Sequence, residues 1–161
     1  EGGGSGRFDA TQSCAGLPNV NEMTWYAKEG DPRWDGDELW TTMGHLYKGG
    51  MWFKKKAYII GYNSNTAVDN TDWRTTSTVQ SWSVSQTLPS AADANKYFYL
   101  PVLGYYNSGQ LNFVGTIGGN YWSSSADPGS RNNAYFLYFR SDIVYVYSNS
   151  RYNGFRVGGV E

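Results

Sequence analysis

The sequence predicts an α+β domain, with two helices packed on short antiparallel strands and long irregular loops. Two windows in the first third of the chain place apolar residues at helical spacing. Two windows near residue 140 alternate with a period of two, the mark of half-buried strands. Between 103 and 153, 29 of 51 residues are Gly, Tyr, Asn or Ser, a composition that favours strands and turns over helices.

The elements follow in chain order. Residues 1–16 open Glu1-Gly-Gly-Gly-Ser-Gly6 and read as a flexible linker or a truncated lead-in, and 17–161 as one domain. Asn19 is a candidate N-cap with Glu22 as its capping-box acid. The helix it starts, over 20–28, carries Val20, Met23, Tyr26 and Ala27 on one face, and Gly30 and Pro32 stop it. A second helix is expected over 37–47, where Leu39, Trp40, Met43, Leu46 and Tyr47 form an apolar stripe before Gly49-Gly50. A short helical turn is expected at 90–95 and a strand at 97–102. Over 134–139, Tyr135, Leu137 and Phe139 share one strand face, and Phe136, Tyr138 and Arg140 the other. After a turn at Ser141-Asp142, Val144 and Val146 point inward, and Tyr145 and Tyr147 outward. Asn149 and Ser150 read as another turn, and 154–157 as a closing strand.

Composition excludes several functions. The 161 residues carry 13 Lys+Arg against 14 Asp+Glu, so no basic surface awaits a nucleic acid. No apolar run reaches the roughly 18 residues of a membrane helix, so no membrane insertion is expected. One cysteine, Cys14, and one histidine, His45, rule out an internal disulfide and a thiolate or His-rich metal centre. No Gly-x-Ser-x-Gly elbow occurs, His45 reads as a partly buried hydrogen-bonding residue, and no catalytic residue, cofactor or metal is assigned. The carboxylates Asp31, Asp35, Asp37 and Glu38 read as loop caps, and Lys54-Lys55-Lys56 as the guard of a strand edge.

Aromatic residues make up 17% of the chain, with seven Trp, fourteen Tyr and seven Phe. Phe136, Tyr138, Tyr145 and Tyr147 share one strand face, with Tyr152 nearby. Either a second layer covers these rings and they are core, or they form an exposed recognition surface. Tyr offers rigid contact area at low entropic cost, and Ser, Gly and Asn offer adaptable hydrogen bonds. That mixture is the composition of antibody paratopes.

Several motifs carry a resemblance to a known family. Tyr121-Trp-Ser-Ser-Ser125, Asn133-Ala-Tyr135, Leu137-x-Phe139 and Arg151-x-x-Gly-Phe-Arg-Val157 resemble the second half of a C-type-lectin-like fold. The likeness is to its formylglycine-generating-enzyme-like branch and to the major paralogous domain of bacterial surface lipoproteins. Leu17-Pro-Asn-Val-Asn-Glu22 with Trp25-Tyr26 resembles that branch's helix entry, and Tyr97-Phe-Tyr-Leu-Pro101 with Gly104 its strand before the loops. The likeness spans 17–160. Within this fold the chain is most similar to the variable proteins of diversity-generating retroelements, such as phage tropism determinants. There an error-prone reverse transcriptase randomises adenines, chiefly in Asn codons.

The resemblance implies a non-enzymatic domain that displays a diversified aromatic and polar surface to a protein or glycan receptor. It implies a place on a virion tail fibre or a bacterial cell surface, and a homotrimer is compatible with it. The residue alphabet of Asn-codon randomisation stands at Phe136, Tyr138, Arg140, Asp142 and Ile143. It continues at Tyr145, Tyr147, Ser148, Asn149, Tyr152 and Asn153. Tyr105, Tyr106, Asn107, Asn112, Phe113, Ile117 and Asn120 fit the same surface, as do Ser130, Arg131 and Asn132. The alternatives are a formylglycine-generating-like enzyme and a surface adhesin of fixed specificity. Cys14 lies outside the matching core, and the Glu-Pro-Asn, Gln-Pro-Asp and Trp-Asn-Asp motifs of calcium-dependent lectins do not occur.

Overall fold

Asn19 begins the first helix through a reciprocal pair of hydrogen bonds. Glu22 N–H donates to Asn19 Oδ1 (3.0 Å), and Asn19 N–H donates to Glu22 Oε2 (2.7 Å). Two of the donors that a helix start leaves free are thereby satisfied. Helix α1 (Val20–Lys28) buries Val20, Met23, Tyr26 and Ala27, as its spacing predicts. Its buried polar residues hold the long following loop. Asn21 Nδ2 donates to Asn65 O (3.0 Å) and Asp72 Oδ1 (2.8 Å), and Trp73 N–H donates to Asn21 Oδ1 (3.0 Å). Trp73 is thereby carried into the core, fully buried.

The computed structural model describes residues 16–157. Cys14 and, apart from Gly16, the expected linker at 1–16 lie outside the described residues. Nine strands follow α1 in the chain: β1 (Arg33–Thr42), β2 (His45–Lys54), β3 (Gln80–Ser83), β4 (Tyr97–Pro101) and β5 (Tyr105–Asn107), then β6 (Gln110–Asn112), β7 (Gly119–Ala126), β8 (Asn133–Arg140) and β9 (Ile143–Ser150). They form a three-stranded sheet in the order β1-β2-β4, a four-stranded sheet in the order β3-β9-β8-β7, and the hairpin β5-β6.

The expected α+β fold of two helices on strands, and with it the C-type-lectin-like assignment, is overturned. Among the described residues 44% are strand and 11% helical, with one α-helix, which makes a small β-rich domain. The second helix expected at 37–47 is the β1–β2 hairpin. Thr42 pairs with His45 across a two-residue turn whose Met43 (φ 51°) and Gly44 (φ 77°) are both left-handed. That geometry matches the twist of the flanking strands and is incompatible with a helix. The supposed apolar stripe is not buried either, with Leu39, Met43 and Leu46 all exposed. Trp40 instead stacks on its cross-strand partner Tyr47 (5.0 Å between ring centroids). His45 is exposed at the start of β2 rather than partly buried.

Smaller corrections follow from pairing. Lys54 ends β2, which lies between β1 and β4, so the lysines guard no sheet edge. Lys54 faces Asp31 (3.7 Å) instead. The turn expected at Asn149-Ser150 falls inside β9, whose chain turns only at 151–153. The expected closing strand is a pair of isolated bridges, Gly154 to Tyr106 and Arg156 to Tyr121. The helical turn expected at 90–95 is a single 3-10 turn at Ala94–Lys96.

The core lies between α1 and the inner face of the four-stranded sheet. Tyr135, Leu137, Phe139, Val144 and Val146 all point into it. Phe53 of β2 meets Phe139 edge-on (5.9 Å) and joins the two sheets in one core. Gly119 admits the Phe139 ring, since a Cβ there would lie 2.2 Å from Phe139 Cζ.

Candidate ligand-binding site

Alternation in β8 and β9 fixes two faces. With Tyr135, Leu137 and Phe139 in the core, Phe136, Tyr138 and Arg140 take the outer face, and register brings Tyr147 opposite Phe136 and Tyr145 opposite Tyr138. From β7, Asn120 pairs with Tyr138 and Trp122 with Phe136, so both join this face.

A cavity of ≈ 400 Å³ opens there, lined from the sheet by Asn120, Phe136, Tyr138, Tyr147 and Asn149. Its other walls are Tyr105, Phe113, Ile117, Gly118 and Phe155. A shallower hollow of ≈ 280 Å³ adjoins it, shares Phe136, Tyr138 and Tyr147, and adds Arg140 and Tyr145.

Phe155 closes the floor. Its ring lies 4.4 Å from Trp122 and 4.7 Å from Phe136, and it meets Tyr105 perpendicularly at 5.3 Å. Backbone bonds hold it in place. Gly154 and Tyr106 exchange N–H···O bonds of 2.8 and 3.0 Å. Arg156 N–H donates to Asn120 O (3.1 Å), and Trp122 N–H donates to Arg156 O (2.8 Å). The segment 154–156 therefore ties β5 to β7 across the floor.

No ionised side chain lines the cavity. At its edge Arg140 Nε donates to Asp142 Oδ1 (2.6 Å), so that charge is locally paired. Burial pushes the Tyr138 hydroxyl above its ordinary value, which keeps the phenol neutral at pH 7. The surface offers rings, amides and neutral hydroxyls, suited to apolar contact with sparse hydrogen bonds.

The structure separates the sequence candidates. Tyr105, Phe113, Ile117, Asn120, Phe136, Tyr138, Tyr147 and Asn149 meet at the cavity, and Arg140 and Tyr145 at the hollow beside it. Phe136, expected to face water, is only 5% exposed because Trp122 and Phe155 cover it. Ser148 lies on the inner side of β9, where its hydroxyl donates to Asp127 Oδ2 (2.6 Å). Asn153 is buried in the turn after β9. Ser130, Arg131 and Asn132 lie in the β7–β8 loop and line neither hollow.

Asp142 and Ile143 sit at the β8–β9 turn, and Asn107 and Asn112 on the β5–β6 hairpin, outside both hollows. Tyr106 lines a separate depression with Leu111 and Val157. Tyr152, 76% exposed, stands apart. Sequence reasoning missed Gly118 and Phe155 as wall residues. The Gly-Phe-Arg motif was the available signal, but it reads as scaffold until the bridges of 154–156 are known.

Among the described residues no helix is long and apolar enough to cross a membrane. No protein-family model, curated protein or solved structure matches this chain.

Proposed function

We propose that the chain is a non-enzymatic receptor-binding domain whose outer sheet face is its recognition surface. In this reading it is a variable protein of a diversity-generating retroelement, carried on a phage tail fibre or a bacterial surface. The observation that carries the reading is convergence. Sequence candidates from the β5–β6 region, β7, β8 and β9 meet at one neutral, ring-lined cavity and the hollow beside it. The same strands turn their other residues into the core, so the recognition face and the scaffold alternate along one backbone. Substitutions outside the core change stability by about 0.5 kcal/mol or less, which lets such a face vary. Aromatics and arginine, the common anchors of protein interfaces, stand at Tyr138, Tyr145, Tyr147 and Arg140.

The test is a screen of the domain against arrays of surface glycans and outer-membrane proteins, run beside the double variant Tyr145→Ala/Tyr147→Ala. The variant is expected to lose binding with its melting temperature within about 5 °C of the parent. A bound receptor that the double variant retains would overturn the assignment of this face. The retroelement part has its own check in the neighbouring DNA. A near-identical non-coding copy of the 3′ segment beside a reverse-transcriptase gene, differing at adenines, is expected. Its absence favours an adhesin of fixed specificity.

A further inference from the structure

An edge strand carries a row of unpaired backbone groups that can pair with another chain, and folded proteins shorten, blunt or cover such edges. Along β7, Arg156 N–H donates to Asn120 O (3.1 Å), Trp122 N–H donates to Arg156 O (2.8 Å) and Ser124 N–H donates to Pro18 O (2.9 Å). The edge of β4 ends in Pro101, which has no N–H and whose carbonyl accepts from the Tyr121 hydroxyl (2.6 Å). β3 and β6 are only four and three residues long. The first half of β1 is closed by Ser85, since Trp34 N–H donates to Ser85 O (2.9 Å) and Ser85 N–H donates to Pro32 O (3.0 Å). The second half of β1 has no such cover among the described residues.

The hairpin register shows which groups point outward. Thr42 and His45 close the two-residue turn and so exchange both backbone hydrogen bonds, and in an antiparallel ladder such pairs alternate. Trp40 and Tyr47 are the next bonded pair. Leu39 and Thr41 therefore turn their N–H and C=O groups away from β2, to the open edge. The side chains beside that edge are apolar and face water. Leu39 and Thr41 share one face, and Leu46 joins it as the cross-strand partner of Thr41. Leu39 is 60% exposed and Leu46 65%.

We propose that this edge pairs with the same edge of a second copy of the chain, antiparallel across a two-fold axis, to make a homodimer in which the two β1-β2-β4 sheets run together. The inference is independent of the recognition face, which lies in the other sheet. The edge complements itself. Leu39 of each copy meets Thr41 of the other, so the outward groups form about four backbone hydrogen bonds, and the two Trp40 residues face each other on the axis. That register sets the two Leu39 side chains diagonally together on one face, each flanked by Thr41 and, one strand further, by Leu46. Two exposed leucines per chain thereby lose contact with water. Asp37 and Glu38 fall opposite the second copy's hairpin tip, so no acid stands against an acid. The interface is short, so the dimer is weak, with Kd above about 1 μM.

The experiment is sedimentation equilibrium of the whole chain from about 1 μM to about 1 mM, with amide hydrogen exchange followed at both ends of that range. The mean mass is expected to rise reversibly from one chain to two. The Leu39 and Thr41 amides are expected to gain protection with concentration, while the Trp40 amide, bonded within the hairpin, is protected throughout. Thr41→Pro removes an outward N–H and no bond of the hairpin, and Leu39→Lys sets like charges diagonally across the axis. Each is expected to weaken the dimer about tenfold or more with an unchanged urea midpoint. If Thr41→Pro lowers the midpoint, Leu39→Lys decides. A chain that stays a monomer to about 1 mM would overturn the proposal. So would a trimer, since two-fold pairing closes at two copies. A dimer that Leu39→Lys leaves intact would move the contact to another face and overturn it too. Protection of Leu39 and Thr41 in a monomer at every concentration would overturn it in favour of a strand from within the chain.

Discussion

Phe136 and Tyr147 oppose each other across β8 and β9, and their rings touch at 6.1 Å between centroids. One is shielded by Trp122 and Phe155, and the other is 47% exposed. Strand alternation places both on the same side and says nothing about which is covered, because the covering ring comes from residue 155. The difference is measurable. Phe136→Ala is expected to lower stability by about 3–5 kcal/mol, the range for truncating a buried phenylalanine. Tyr147→Ala is expected to change it by about 0.5 kcal/mol. Urea unfolding of the two variants checks both values, and equal losses would mean that Tyr147 is as much a part of the packing as Phe136.

At the level of elements, α1 and the β8–β9 pair were legible because their signals are local. Asn19 and Glu22 form their box within four residues, and the alternation from Tyr135 to Phe139 matches the observed faces. The β1–β2 hairpin was not legible. Leu39, Trp40, Met43 and Leu46 fit helical spacing as well as strand pairing, and only the left-handed Met43 decides between them. Methionine seldom adopts that conformation, so the turn's residue signal is Gly44 alone. For the site, the strand faces could be read in advance, but the wall built by 154–156 could not, since two isolated bridges leave no periodic trace. A sharper check concerns β7. Gly119→Ala would press a methyl group against the Phe139 ring at the junction of the sheets. It is expected to destabilise by about 1–3 kcal/mol, as overpacked cores do, read as a lower urea midpoint with an unchanged slope.

Across the whole molecule, carboxylates set the response to acid. The hydrogen bonds of Arg74 to Asp72 hold that carboxyl well below its ordinary 3.8, with Asn21 adding to them. At Asp31 burial pushes upward, but hydrogen bonds from Arg33 and Tyr97 outweigh it and the net direction is down. Asp127 is likewise raised by burial and lowered further by Ser148, Ser77 and the Gly129 N–H. Each folded-state value lies below the unfolded one, so each group stabilises the fold above about pH 4 and stops doing so as pH falls through its lowered value. Stability is expected to stay level from pH 7 to about pH 5 and to decline below about pH 4, followed by urea midpoints. Asp72→Asn is expected to make the acid decline shallower; an identical decline would show that other carboxyls dominate.

The core and the cavity also differ in when they can be completed. The buried cluster between α1 and the sheets draws on no residue beyond Val146, whereas the cavity floor waits for Phe155. A ribosome making this chain therefore releases every residue of the core before it releases the one that shuts the floor. On the proposed reading, the residues that complete the binding face are encoded after those that complete the framework.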